Sequence, residues 1–338
     1  MIELTGVVTS FPHTQELVGA TTDLGDGVSV TFLPGTGAPS TRSMLRELAY
    51  DVCGMPIVNY MSAREHGLRV TAVPIFPTRR FLHGMLVCDR TAITQPTDLE
   101  GRRVGIGYYG NTDSTWVRGL LSEYGVDLDR ITWVTSSEEQ VLDATLPPNV
   151  EPWAESAREA KYTGVPGGEL DELLLAGEVA GVIYGRGELV YNAGQQDLGD
   201  RRLGPLFDDV EAADLEWLRR TRFFPMMTVV VVRDSLLVGL PDLPDRLLAV
   251  FTAAKERALE RARTGVDYSA DEANAARISG LRIGADGSPF GPLLGPDPLP
   301  YGVDSNRAAI ETIARYAHEQ RVLQSRPSVD ELFAPLSA

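Results

Sequence analysis

Two arginines, Arg79 and Arg80, stand side by side in the stretch PIFPTRRFLHG, residues 74–84, and His83 follows three residues on. A guanidinium presents a planar fork of donors that fits a carboxylate two bonds at a time, so the pair can hold an anion. In an extended segment neighbouring side chains face opposite ways. One arginine then points towards a ligand and the other serves the fold. The competing reading is solvated charge at a strand end. A free histidine side chain has its pKa near neutrality, a residue type suited to general acid or base work, which makes His83 a candidate. A partly buried histidine bonded to backbone fits the same spacing. His13 follows a strand end, where site residues gather. Glu139, after the apolar run ITWV, is a third acid–base candidate, although a glutamate that opens a helix is the commoner case.

The run YYGNTD, residues 108–113, joins a strand signal to a helix signal. Free backbone N–H groups at such a helix start favour an anion, which makes Tyr109, Asn111 and Thr112 binding candidates. The hydroxyls of Thr112 and Ser114 serve equally well as helix caps. No GxxxxGK[ST] stretch is present, so the loop is not a P-loop. Ser136, Ser137 and Glu138 extend the loop of Glu139. Tyr184 and Arg186 follow another apolar run and have a similar case. Trp116 reads as core, Arg118 as surface or inter-lobe charge, and His66 and His318 as structural. The four histidines show no HxH or HExxH spacing, so neither a metal site nor a cofactor is expected.

The elements that must position these groups alternate along the chain. IELTGVVTSF, GVSVTFLP, YDVCGMPIV and RVTAVPIF read as strands. QELVGATTDL, TRSMLREL (with Ser40 or Thr41 as cap) and MSAREHG read as helices between them. Short apolar strands separated by helices argue for a parallel sheet covered on both faces. DSTWVRGLLSEYGV is a helix with Trp116, Leu120 and Tyr124 spaced by four. RITWVTS is a strand, and residues 145–170 are a Pro- and Gly-rich surface excursion. FFPMMTVVVVRD carries a strand over Met227–Val232, and LPDRLLAVFTAAKERALERAR is the clearest amphipathic helix. Residues 282–304 read as loop, and SNRAAIETIARYAHEQRVL as a last helix.

The chain has 338 residues and a formal net charge of -16. That length suits two α/β lobes better than one. The charge and the lack of any basic run disfavour nucleic acid as a partner. No apolar stretch is long enough to span a membrane, and the N-terminal residues lack the features of a signal peptide, so a cytoplasmic protein is expected. Cys53 and Cys88 sit in apolar contexts and read as buried free thiols. The expected lobes are residues 1–90 plus 229–338, and 91–228, with crossings near 86–96 and 222–232. A small-molecule site is expected in the cleft between them.

The runs VPIFPTRRFLHG, DLEGRRVGIGYYGNTDSTWVRGLLSEYGV, ITWVTSSEE, FFPMMTVVVVRD and PLPYGVDSNRAAIETIARYAHEQ together resemble the 4,5-dihydroxyphthalate decarboxylase family, in the same order and over nearly the whole chain. The resemblance implies a two-lobed, type II periplasmic-binding-protein-like fold with two mixed or parallel sheets flanked by helices. It also implies an aromatic carboxylate as ligand and suggests a homo-oligomer. The sequence departs from the family pattern at three places. Thr78 stands where the pattern has a histidine before the twin arginines. Thr228 stands where it has a second histidine, and Ser10-Phe11-Pro12-His13 where it has an Asp-Tyr-Asp-Arg run. By position in that pattern, Ser10, Thr78 and Thr228 join Arg79 and Arg80 as substrate-binding candidates, while His83, His13 and Glu139 are the candidates for proton transfer. The expected activity is that of a lyase, decarboxylating a hydroxylated aromatic or cyclic acid. The alternatives are a non-catalytic carboxylate-binding protein of solute-binding type, and an enzyme of different chemistry in a specialised biosynthetic pathway.

Overall fold

The β-branched runs of the first third become strands of one sheet. β1 (Ile2–Val8) pairs in parallel with β3 (Val28–Pro34) along its whole length and with β4 (Val52–Pro56) on its other side. The segment QELVGATTDL does not form the expected helix. It makes one 3-10 turn, Gln15–Leu17, and then β2 (Thr21–Gly25), antiparallel to β3. The β-branched pair Thr21–Thr22 fits a pleated surface, and the hydroxyls of Thr21 and Thr31 meet across the strands at 2.9 Å. Helix α1 (Ala38–Glu47) starts from Gly37, and neither Ser40 nor Thr41 is its N-cap. Instead the Ser40 hydroxyl accepts from the Thr36 N–H at 2.9 Å. Helix α2 (Ile57–Glu65) leads to β5 (Val70–Val73).

Strand β12 (Thr228–Arg233) returns from far down the chain and lies between β4 and β5, antiparallel to both. The sheet order is β2-β3-β1-β4-β12-β5, a mixed sheet, within what the family resemblance implies although strand–helix alternation alone argued for a parallel one. The run Val229–Val232 is wholly buried, which is what a central strand covered on both faces requires. The helix Leu243–Arg263 lays Leu243, Leu247, Phe251 and Ala254 into this core. Phe251 meets Phe32 edge to face, ring centroids 5.4 Å apart. Each such side chain contributes about 1.5–3 kcal/mol by leaving water.

A second sheet has the order β11-β6-β10-β7-β8-β9, with β6 Leu86–Asp89, β7 Arg103–Ile106, β8 Thr132–Thr135, β9 Val150–Pro152, β10 Gly181–Ile183 and β11 Leu203–Pro205. β7, β8, β9 and β10 run parallel, and β6 runs against β10 and β11. Helix α3 (Thr112–Glu123) buries Trp116 and Leu120, as their spacing predicts. Gly119 lies on the same helix. A Cβ there would fall 2.1 Å from the Tyr316 ring, so glycine is what lets that aromatic pack.

The computed structural model describes residues 1–135, 139, 141, 145–152, 169–184, 202–264, 280–281 and 288–336. These form two units. Unit 1 is Met1–Arg80, Arg222–Thr312 and Pro327–Ala338, and unit 2 is Phe81–Thr221 and Ile313–Arg326. The expected boundaries shift accordingly. β6 pairs within the second sheet, so unit 2 begins before residue 91, and Ile313–Arg326 packs with unit 2 although it lies in the last third. Ser136–Glu138, Arg186, most of the 145–170 excursion and residues 282–287 lie outside the described residues. Part of the expected 282–304 loop is a short helix, Gly291–Leu294. Among the described residues, no helix is long and apolar enough to cross a membrane.

Candidate functional site

In unit 1 the ends of β1, β4 and β5 and the start of β12 share one edge of the sheet, with Thr228 opposite Pro56. Ligands of open α/β sheets bind beyond such strand ends. Ser10 and His13 follow β1, and Thr78, Arg79 and Arg80 follow β5. Ser10 is exposed, whereas His13, Thr78 and Arg79 are buried. The Thr228 hydroxyl donates to the Thr78 hydroxyl at 3.0 Å. Two of the positions at which the sequence departs from the family pattern therefore touch each other, and the pair carries no group that titrates near neutrality.

Arg79 is not a solvated charge. Its Nη1 donates to the Phe224 carbonyl at 2.7 Å and its Nη2 to the Pro300 carbonyl at 2.8 Å and to Asn306 Oδ1. Burial pulls this guanidinium down to about 10, so it stays protonated at neutral pH. Arg79 thus fastens the loop that carries PLPYGVDSN. Arg80 is half-buried, and its backbone N–H donates to the Pro225 carbonyl. Of the two adjacent guanidiniums, Arg79 is the one that serves the fold.

The same loop is held a second time by Lys255, a residue not among the sequence candidates. Its Nζ donates to Asp297 Oδ2 at 2.5 Å and to the Leu299 carbonyl at 2.9 Å, and sits 4.2 Å from the centre of the Tyr301 ring. Burial lowers the Lys255 pKa against the pull of Asp297. A lysine on the buried face of an amphipathic helix, beside Phe251 and Ala258, was the available signal. Tyr301 Oη is buried with no hydrogen-bond partner among the described residues, and burial raises its pKa.

His13 belongs to this neighbourhood. Its Nε2 lies 2.7 Å from the Pro77 carbonyl, and its ring stacks on Phe11 with planes 4° apart. A carbonyl only accepts, so Nε2 carries the proton and Nδ1 is a bare acceptor. Burial lowers the His13 pKa to about 4, with Lys255 acting in the same direction and the Pro77 bond and Asp297 opposing.

Unit 2 has its own polar cluster at the corresponding ends of its strands. His83 precedes β6, and both ring nitrogens are engaged. Nδ1 lies 2.5 Å from Asp214 Oδ1, and Nε2 lies 3.0 Å from the Tyr124 hydroxyl. Asp214 Oδ1 also accepts the N–H groups of Leu82 and His83. His83 therefore braces the entry of the chain into unit 2 against the helix Val210–Thr221. Neither Asp214 nor Tyr124 was foreseen as its partner.

Beyond β7, Glu139 accepts the N–H of Tyr109 at 2.5 Å and of Gly110 at 3.0 Å, and burial raises its pKa. These two N–H groups of the loop before α3 are taken by a carboxyl group of the chain itself. Asn111 is the N-cap, accepting from the Asp113 N–H, and Thr112 is buried in the first turn. Arg118 is fully buried, contrary to the expected surface or inter-lobe charge. It lies 3.8 Å over the Tyr109 ring, donates to the Tyr109 carbonyl at 2.8 Å and to Gln320 Oε1 at 2.8 Å, and its pKa is lowered by burial. The aromatic face and two acceptors make that burial tolerable. Cys53 and Cys88 are free and buried, with burial raising them to about 12 and about 11.

Comparison with known proteins gives this geometry a context. A 4,5-dihydroxyphthalate decarboxylase of Comamonas testosteroni is 30% identical over 321 residues, covering 92% of this chain and 90% of that protein. The chain belongs to the 4,5-dihydroxyphthalate decarboxylase family. The family model described as NMT1/THI5 like also matches, over residues 25–155. Among solved structures, the periplasmic aliphatic sulphonate binding protein SsuA of Escherichia coli aligns with a TM-score of 0.54 at 12% identity, covering 99% of this chain and 98% of that one. The desulfurization enzyme DSZB aligns with a TM-score of 0.54 at 17% identity, covering 99% and 97%. The fold is therefore of the periplasmic-binding-protein-like class. Two of the segments that carry the decarboxylase resemblance, VPIFPTRRFLHG and PLPYGVDSN, bind each other through Arg79, Pro300 and Asn306.

Proposed function

We propose that the protein is a carbon–carbon lyase that releases carbon dioxide from a hydroxylated aromatic or cyclic carboxylic acid. The observation that carries this reading is the 30% identity to a 4,5-dihydroxyphthalate decarboxylase across 92% of the chain. Direct loss of carbon dioxide from an arene leaves an unstable aryl anion. A ring hydroxyl avoids this: the ring carbon is protonated first, the dearomatised ketone form expels carbon dioxide, and the ring regains its aromaticity. The enzyme must supply an acid near the ring carbon and an acceptor for the phenol. It must also hold a carboxylate that stays, without gripping the one that leaves, since tight ground-state binding slows the step.

Arg80 is the arginine of the pair we assign to that spectator carboxylate, because it is half-buried whereas Arg79 is buried with both terminal nitrogens on the loop. The hydroxyl pair Thr78–Thr228 offers hydrogen bonds without a titrating acid, so the proton for the ring carbon comes from elsewhere. Incubation with 4,5-dihydroxyphthalate and related hydroxy-arene acids, with carbon dioxide release followed, tests the reading. Turnover supports it. Binding without release of carbon dioxide refutes it and favours a solute-binding role.

A further inference from the structure

His13 presents an unusual chemical state. Its protonated Nε2 is fixed on the Pro77 carbonyl at 2.7 Å. Its Nδ1 is buried, has no hydrogen-bond partner among the described residues, and in this tautomer can only accept. An acceptor left so destabilises the fold, and native proteins seldom carry one without use. Tyr301 Oη, also buried with no hydrogen-bond partner among the described residues, shares its electrostatic surroundings: Asp297 acts on both His13 and Tyr301, and Lys255 acts on His13 and lies over the Tyr301 ring. These are not atoms of an apolar core. They flank the partly buried Lys255–Asp297 pair of unit 1, and His13 lies in a segment, Ser10–His13, where this chain departs from the family pattern.

We propose that His13 Nδ1 is a hydroxyl-recognising acceptor, which receives the O–H of a ring hydroxyl of the bound acid and selects hydroxylated acids over their unhydroxylated counterparts. A carboxylate cannot satisfy it, because two acceptors repel. A cation is disfavoured beside Lys255. A neutral O–H donor is the group that fits. The neutral state of the ring is kept by burial, so the acceptor persists through the range in which a free histidine would be protonated. This inference rests on the lyase reading for the identity of the acid, but not for the acceptor itself.

The test is a ratio of affinities. Binding of 4,5-dihydroxyphthalate and of phthalate, which lacks both hydroxyls, is measured by calorimetry for the wild-type protein and for His13→Gln. The glutamine amide keeps an N–H for the Pro77 carbonyl and removes the Nδ1 acceptor. The wild-type protein is expected to prefer the hydroxylated acid by about tenfold or more, and His13→Gln to lose most of that preference. Equal affinity of the wild type for both acids, no binding of the hydroxylated acid, or an unchanged ratio in His13→Gln overturns the proposal. The last result would assign Nδ1 to a buried water. Should the variant fail to fold, nitrogen-15 resonances of the four histidines decide. One unprotonated Nδ1 must move on addition of 4,5-dihydroxyphthalate and stay still with phthalate; no such movement overturns the proposal. Carbon dioxide release by the wild type is scored separately, so a protein that discriminates without turnover refutes the lyase reading and leaves the acceptor standing.

Discussion

Replacing Arg79 with alanine isolates its role in the fold. The substitution strips a donor from three buried or part-buried acceptors: the carbonyls of Phe224 and Pro300, and Asn306 Oδ1. Each acceptor left dry costs about 1–3 kcal/mol. Some is recovered, because Asn306 keeps its own bonds from Nδ2 to the carbonyls of Pro300 and Gly302. With three acceptors losing their donor and part of that recovered, the expected loss is about 3–5 kcal/mol. For a unit of this size, about 2–4 °C of melting temperature goes with each kcal/mol, so unit 1 should melt roughly 10 °C lower. Differential scanning calorimetry of wild type, Arg79→Ala and Arg79→Lys measures it. The lysine variant, with one ammonium in place of a fork, should fall between the other two. An Arg79→Ala protein that melts within about 2 °C of wild type yet fails to bind carboxylates would refute the reasoning and return Arg79 to the ligand.

Two other outcomes follow from the polar clusters. The His13 pKa is about 4 in the fold, below its ordinary value, so the unfolded chain binds the extra proton as pH falls. The stability tied to the neutral ring is complete above about pH 6.5 and is lost towards pH 4, by at most about 3 kcal/mol; His13→Gln should flatten this part of the decline in urea midpoints, and an equal decline in both proteins would contradict it. In unit 2, Asp214→Ala leaves the N–H groups of Leu82 and His83 and the His83 ring without their acceptor. It should cost about 2–4 kcal/mol, seen as a lower melting temperature, whereas unchanged melting with abolished turnover would move His83 from bracing to chemistry.

Much of the fold was legible because it rests on local chemistry. The helix Leu243–Arg263 and the strand Thr228–Arg233 stand in the sequence as periodic apolar patterns. What was not legible depends on partners remote in the chain. Nothing local says that Thr228–Arg233 inserts between β4 and β5, or that Thr21–Gly25 leaves a helix-like context to pair with β3. The same holds for the candidate site. Arg79 and His83 were recognisable as residues that do something, but their tasks are set by Asn306 and Asp214, 227 and 131 residues away. Arg118 shows the limit from the other side: a charge on a helix reads as exposed until Tyr109 and Gln320 are seen to enclose it. Lys255 was missed for the opposite reason, since an amphipathic pattern is read by its apolar members and the one cation on the buried face goes unremarked.

The place of β12 in the first sheet has a consequence for how the protein is made. Among the described strands β5 pairs with β12, and roughly 150 residues of chain separate them; its further bridge, Ala72 to Phe333, comes later still. At ~5–20 residues per second, a ribosome needs roughly 8–30 s to deliver that partner. For that time β4 and β5 present unpaired edges, and the apolar run that will close them has not been translated. Unit 2 is in a similar position, because Tyr316, which fills the space left by Gly119, lies far down the chain from it. Neither core is completed until these remote segments have been made. Yield in the cell should therefore depend on what shields these edges during translation, more than on the stability of the finished protein.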